Sequence, residues 1–201
     1  HLADHGVRVL LSTRAQGFSD VDGRVEVDLG NERLTTDLVL LAVGVQPETS
    51  LARAAGLALG VRGTIVVDAH QVTSDPAIYA VGDSVQVTDT VTGEAVMIPL
   101  AGPANRQGRL AADHIAGRRT SYSSTQGTGI VKVFDLTAGT TGASESTLKR
   151  LGRPYRKVHL HPNGHASYYP GTHAMHLKVL FDPADGRVLG AQAVGVDGVD
   201  K

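Results

Sequence analysis

Two apolar runs that each end on a glycine constrain this chain most. Leu38–Val43 reads LVLLAV and stops at Gly44-Val45-Gln46-Pro47, and Ala77–Val81 reads AIYAV and stops at Gly82-Asp83. Apolarity without polar alternation is the pattern of a strand covered on both faces of a parallel sheet. Ligands of open α/β sheets sit at the carboxyl ends of such strands. Both runs are therefore expected to be buried strands that end at a site. Gly82 has no Cβ and lets a ligand or backbone come close, while the Asp83 carboxylate can accept hydrogen bonds from sugar-like hydroxyls. Asp83 could instead cap a helix. Likewise Gly-x-x-Pro, from Gly44 to Pro47, is also a common turn.

Around these runs the pattern alternates. Val7–Leu11 and Arg24–Leu29 have the period of strands, and Asp22-Gly23 and Gly30-Asn31 are turn signals, so an antiparallel meander is expected. Ser50 to Gly56 predicts a short helix with Ser50 as cap and Gly56 as stop, and Gly63–Asp68 predicts a strand. Pro103 suits the first position of a second helix, which continues through Leu110, Ala111, His114 and Ile115 and closes at Gly117. The amides just before it, at Leu100-Ala101-Gly102, face outward at the positive end of the helix dipole, a place for developing negative charge. An ordinary surface helix would start in the same way.

Arg118–Gly129, rich in Ser, Thr and Gly, reads as a connection between domains. After it come a strand at Gly129–Leu136, a helix capped by Ser144 and stopped by Gly152, and strands at Tyr155–His161, His176–Phe181 and Val188–Val194. The last two are joined by the turn Asp182–Gly186. Strand, helix and antiparallel strands make an α+β unit. Tyr168 and Tyr169 would suit the core and rim of a strand, or a role for their hydroxyls.

With 201 residues, 41% of them hydrophobic, one large or two small domains can form. The net charge of −1 with scattered Lys and Arg gives no footprint for nucleic acid or a membrane surface. No run is long enough to span a bilayer and no secretory leader opens the chain, so a soluble cytoplasmic protein is expected. The absence of cysteine excludes a disulfide, a thiolate metal site and a thiol nucleophile on this chain. His159, His161, His165, His173 and His176 fit no closed ligand set, and no metal is assigned. His1–Gly6 reads as the last turn of a cut helix and Gly195–Lys201 stops without a polar tail, so a piece of a longer polypeptide is expected.

Thr73, six residues, then Ala80-Val81-Gly82-Asp83 resembles the second flavin-binding motif of the pyridine nucleotide-disulfide oxidoreductases. PLAGPANRQGR resembles the coenzyme A-disulfide reductase and NADH oxidase branch of that family, and KVFDLTAGTTG with HASYYPG resembles its dimerisation domain. The resemblance covers nearly the whole chain. It implies that Gly82 and Asp83 hold the ribityl chain of FAD, that Leu100, Ala101 and Gly102 lie against the pyrimidine edge of the isoalloxazine, and that Gly44 adjoins NAD(P)H. One of Tyr168 and Tyr169 would reach the partner's active-site cysteine across a homodimer formed through residues 121–201.

The implied fold is α/β plus α+β: partial NAD(P)H-binding (1–59) and FAD-binding (60–120) Rossmann-like portions, then an α+β dimerisation domain (121–201). The glycine-rich turns that bind the FAD and NAD(P)H diphosphates in the family do not occur here, nor does the redox cysteine. The implied function is therefore that of the C-terminal part of an FAD-dependent NAD(P)H oxidoreductase reducing a disulfide such as coenzyme A disulfide, inactive by itself. The alternatives are an NADH oxidase using oxygen, or a dimerisation or binding module without catalysis.

Overall fold

In a computed structural model that describes His1–Asp200, the chain divides into two compact units, His1–Val45 and Gln46–Lys201. In the first unit, β1 (Gly17–Val21), β2 (Arg24–Asp28) and β3 (Arg33–Thr36) form an antiparallel meander in the order β1-β2-β3. Its first turn is Asp22-Gly23, and both residues have positive φ. The meander is thus present, but Val7–Leu11 is not its first strand. No strand among the described residues pairs with that stretch, and Leu11 is 81% exposed. The expected buried strand Leu38–Val43 is likewise absent. The run leaves the meander unpaired, with Leu40 85% and Val43 90% exposed, because no neighbouring strand among the described residues covers it.

The second unit begins with α1 (Ser50–Ala54), whose N-cap is Thr49 rather than Ser50. The Glu48 carboxylate accepts from both the amide and the hydroxyl of Ser50, which lowers its pKa from the usual carboxylate range. Gly63–Asp68 forms no strand. A 3-10 turn occupies Val61–Gly63, and Ile65 makes single bridges to Leu59 and Val85. Two-residue strands β4 (Val87–Thr88) and β5 (Ala95–Val96) form a hairpin, and α2 spans Ala101–Ile115. Val85, Val87 and Tyr122 are buried in a small core lined by Ile65, Val67, Ala80, Val96, Ile98 and Leu110. The Arg118–Gly129 connection enters this core through Tyr122. The Tyr122 amide donates to Ala69 O (2.7 Å), and Thr125 bridges Asp89.

The α+β portion contains β6 (Gly129–Val133), β7 (Leu136–Gly142), α3 (Glu145–Arg150), β8 (Arg156–Leu160), β9 (His176–Phe181) and β10 (Val188–Gly195). The five strands form one sheet in the order β6-β7-β10-β9-β8, antiparallel throughout. The expected single strand Gly129–Leu136 is instead a hairpin, turned at Phe134-Asp135 with Phe134 at φ 56°. α3 forms as its sequence predicts. The Ser144 hydroxyl accepts from the Thr147 amide (3.1 Å), Glu145 opens the helix, Lys149 and Arg150 end it, and Gly152 follows at φ 62°.

Leu148 lies on the inner face of α3, fully buried against Ala143, Leu180 and Leu189, and Val91 from the β4–β5 turn closes this core. Arg153 donates to Val91 O and Arg150 makes a two-bonded ion pair with Glu94 (2.9 and 3.3 Å), so the hairpin is held to the sheet portion from both sides. At the start of α3, Glu145 gathers the Tyr155 hydroxyl (2.7 Å) and the ammonium groups of Lys157 (3.0 Å), Lys149 (3.4 Å) and Lys178 (3.5 Å). The Tyr155 hydrogen bond, then that of Lys157, holds the Glu145 carboxyl down to about 2, and Glu145 in turn pushes the Tyr155 phenol up. Among the described residues, no helix is long and apolar enough to cross a membrane.

Removing the Leu148 side chain leaves a cavity that the sheet cannot close, so Leu148→Ala is expected to cost about 2–5 kcal/mol in chemical denaturation; a loss under about 1 kcal/mol would show that α3 contributes little to the core. Glu145 gives a pH test. Its carboxyl falls from 4.5 when free to about 2 in the fold, so its contribution is fully present above pH 4.5 and lost as the pH falls toward 2. Thermal unfolding of Glu145→Gln should therefore depend less on pH than the parent across that window, and parallel profiles would contradict the assignment.

Candidate functional site

The segment Thr73–Asp83 is shaped by its own side chains. The Thr73 hydroxyl donates to Asp75 O (3.0 Å) and accepts from the Asp75 amide (3.2 Å), while Asp75 Oδ1 accepts from the Ala77 amide (2.9 Å). The chain then runs back along Gln71–Thr73, with Thr73 N donating to Ile78 O and Ala80 N to Gln71 O. Ala77–Val81 leaves a turn at Ala77 and passes through the bridge at Tyr79, but it is not the strand buried on both faces that its apolarity predicts. It makes one bridge, Tyr79 to Val72, and Val81 is 43% exposed, because no parallel neighbour among the described residues lies beside it.

Two side chains of α2 hold this segment. The Gln107 carboxamide, 1% exposed, accepts from the Gly82 amide (2.7 Å), and two turns later His114 Nδ1 meets the Tyr79 hydroxyl (2.9 Å). The spacings match. Three extended residues from Tyr79 to Gly82 cover about 10 Å, and seven helical residues from His114 to Gln107 about 10.5 Å. The segment therefore runs antiparallel to α2, and its end approaches the N-terminal half of the helix. Beyond His114, His70 stacks on the imidazole (centroids 4.5 Å, planes 10° apart), and its Nδ1 donates to Thr120 O (2.6 Å).

Gly82 sits at φ 93°, in the left-handed region, with nothing within 4 Å of where a Cβ would stand. Val85 N returns to Gly82 O (3.3 Å), which turns Asp83 outward. Asp83 is exposed, caps no helix, and makes no hydrogen bond or ion pair among the described residues. The first turn of α2 faces the same end of the unit. The helix starts at Ala101, two residues before the position expected from Pro103, with Leu100 as N-cap and no capping side chain. First-turn amides have no partner within a helix, so those of Ala101 and Gly102 remain available to a ligand. A carboxylate without a partner among the described residues can accept from hydroxyls, and available first-turn amides can donate to an electron-rich ring edge.

The remaining expected residues lie elsewhere. Gly44 belongs to the first unit and turns the exposed chain at φ 90°. Tyr168 and Tyr169 are in the β8–β9 connection, 81% and 58% exposed, so they are not the core and rim of a strand. Their rings pack on each other at 5.0 Å, and His165 lies against Tyr169 at 6.1 Å. Their connection is braced by Gly164 N to His173 O (3.0 Å), Met175 N to Pro162 O (2.8 Å) and a bridge from Asn163 to Ala174. At its base His161 meets His176, with Nδ1 atoms 2.8 Å apart. The spacing of these histidines fits no closed ligand set, and Gln107 stands outside the apolar pattern of its helix. A polar residue one turn before the apolar pair Leu110-Ala111 was the available signal for a buried contact, whereas Ile115, assigned to the same face, is 66% exposed.

Residues 1–108 match the family described as pyridine nucleotide-disulphide oxidoreductase, and residues 128–200 match its dimerisation domain. The NAD(P)H sulfur oxidoreductase (CoA-dependent) of Pyrococcus abyssi is 35% identical over 184 residues, which cover 92% of this chain and 41% of that protein. Among solved structures, reduced CoADR-RHD of Bacillus anthracis superposes with a TM-score of 0.94 at 48% identity, over 100% of this chain and 36% of that one. The NAD-dependent persulfide reductase from A. fulgidus gives a TM-score of 0.95 at 38% identity, over 100% of this chain and 37% of that one. The chain thus spans about two fifths of the length of the curated relative, 41% of it. By family match, sequence identity and fold, this chain belongs to the pyridine nucleotide-disulphide oxidoreductases.

Proposed function

We propose that this chain is the C-terminal part of an FAD-dependent NAD(P)H oxidoreductase that reduces a disulfide or persulfide, with coenzyme A disulfide as the leading substrate. The observation that carries the reading is the free Asp83 carboxylate, held beside the N-terminal half of α2 by the Gln107–Gly82 hydrogen bond. The residues fit the cofactor. Asp83 would accept from ribityl hydroxyls, Gly82 would let the chain of the flavin pass, and the backbone of Leu100, Ala101 and Gly102 would meet the pyrimidine edge of the ring. Gly44 would adjoin NAD(P)H.

Bound FAD supplies the two-electron carrier between nucleotide and disulfide. The part of this chain is to orient the ring and to favour negative charge at its edge through the first-turn amides of α2. The chain holds no cysteine, so the thiol that meets the disulfide belongs to another stretch of the full-length protein, and these residues alone should be inactive. We place the domain boundaries near residues 59 and 120 and assign homodimer formation to residues 121–201, which contain the match to the dimerisation domain. Exposed on the braced β8–β9 connection, Tyr168 and Tyr169 would reach the partner's thiol, where a hydroxyl can hydrogen-bond or donate a proton. Dependence on NAD(P)H favours the cytoplasm.

The full-length gene product, purified without added cofactor, should show flavin absorbance at roughly 450 nm that bleaches anaerobically with NADH or NADPH and returns with coenzyme A disulfide. Return only with oxygen would make it an oxidase, and a colourless protein would leave a module without catalysis. Asp83→Ala removes one or two charge-assisted hydrogen bonds of about 1.5–3 kcal/mol each, so flavin should be held roughly tenfold or more weakly. Wild-type flavin content after dialysis would refute that role.

Tyr168→Phe combined with Tyr169→Phe should slow disulfide turnover by on the order of 100-fold with flavin still bound. Unchanged turnover would return both tyrosines to a packing role.

A further inference from the structure

His161 and His176 stand opposite each other one position beyond Leu160↔Leu177, the last pair of the β8–β9 ladder. Their Nδ1 atoms are 2.8 Å apart, with ring centroids at 4.8 Å and planes 76° apart. Such a contact exists when one Nδ1 carries the hydrogen and the other presents its lone pair. The rings stand nearly perpendicular and both side chains are exposed, so a small turn of either ring would aim both Nδ1 lone pairs at one point in front of the sheet. We propose that this pair is a two-imidazole site for a divalent transition-metal ion, which takes the place of the shared hydrogen as the donor ring shifts to its Nε2–H tautomer.

The geometry discriminates between metals. Nδ1–metal bonds of about 2.0–2.1 Å meeting at a right angle put the nitrogens about 2.9 Å apart, whereas a tetrahedral angle needs about 3.4 Å. From the 2.8 Å of the hydrogen bond the nitrogens would part only slightly to reach the right angle of a tetragonal ion, Cu²⁺ or Ni²⁺, and considerably more for tetrahedral Zn²⁺. The backbone under the pair is fixed by the β8–β9 ladder on one side and by the Met175–Pro162 and Gly164–His173 hydrogen bonds on the other. The pair therefore needs little ordering before it binds.

On the same face, the next cross-strand pair is His159 and Lys178. The Lys178 ammonium, which would repel a cation, is drawn to Glu145 Oε2 at 3.5 Å. Among the described residues, no third histidine or carboxylate joins His161 and His176 in a cluster, so water completes the coordination. A metal here would staple the base of the connection that carries Tyr168 and Tyr169, and so stiffen their presentation. The site is independent of the flavin reading.

The test is titration of the full-length protein with Cu²⁺, Ni²⁺ and Zn²⁺ by calorimetry, with electron paramagnetic resonance of the Cu²⁺ form. Expected are affinity in the order Cu²⁺, Ni²⁺, Zn²⁺ and hyperfine coupling to two imidazole nitrogens. His161→Asn and His176→Asn should each weaken Cu²⁺ binding by on the order of 100-fold, since either leaves a single donor without its chelating partner. His159→Asn should change it little. All three positions are exposed, and unaltered thermal unfolding without metal would confirm that the variants fold. The proposal is overturned if His161→Asn or His176→Asn keeps wild-type affinity and nitrogen coupling, or if His159→Asn loses as much as they do.

Discussion

One hydrogen bond, from the Gly82 amide to the buried carboxamide of Gln107, sets the geometry of the candidate site. A carboxamide oxygen this deep in the protein costs free energy unless it is paired, so the helix and the segment cannot slide past each other without exposing or orphaning it. The Tyr79–His114 contact two turns away permits only one register, because the extended and helical rises agree over that interval. Asp83 is thus placed by contacts made behind it, and its own carboxylate is left unengaged.

The α+β portion uses a different device. Its core is small, with Leu148, Leu180 and Leu189 as its large fully buried side chains, and polar contacts extend it outward. Glu145 collects a phenol and three lysines from α3, β8, β9 and the loop before β8, which joins the helix to the β9–β8 edge of the sheet. Val91, Glu94, Arg150 and Arg153 do the same for the β4–β5 hairpin. Behind the β8–β9 connection, Gly164 and Gly198 pass so closely that a Cβ on Gly198 would lie 2.8 Å from Gly164 Cα. The exposed tyrosines are thereby carried on a supported loop.

What could be read from the sequence follows from where the determining contacts lie. β9 and α3 were legible because their signals are local: alternation bounded by turn residues, and a Ser144 cap, early acid, late bases and Gly152 in order. The motif ending in Asp83 was legible for a similar reason, since the Thr73 and Asp75 bonds are made within it. Leu38–Val43 and Ala77–Val81 differ from expectation because an apolar run reports the company a strand is suited to keep, and no such neighbours lie beside these two among the described residues. The break at Phe134-Asp135 was hidden because a phenylalanine with positive φ carries no turn signature. Gln107 and the His161–His176 pair depend on partners 25 and 15 residues away, which no local pattern encodes.

The two-point attachment of α2 also bears on how this region opens. Both tethers lie on the C-terminal two thirds of the helix, while the amides offered to a ligand lie on its first turn. Fraying of that first turn would release the amides without disturbing Asp83, whereas melting of the helix body would free both walls in one cooperative event. A ligand held there would then exchange through a small local fluctuation at the helix start, whereas complete dismantling of this region requires the loss of a much more stable unit.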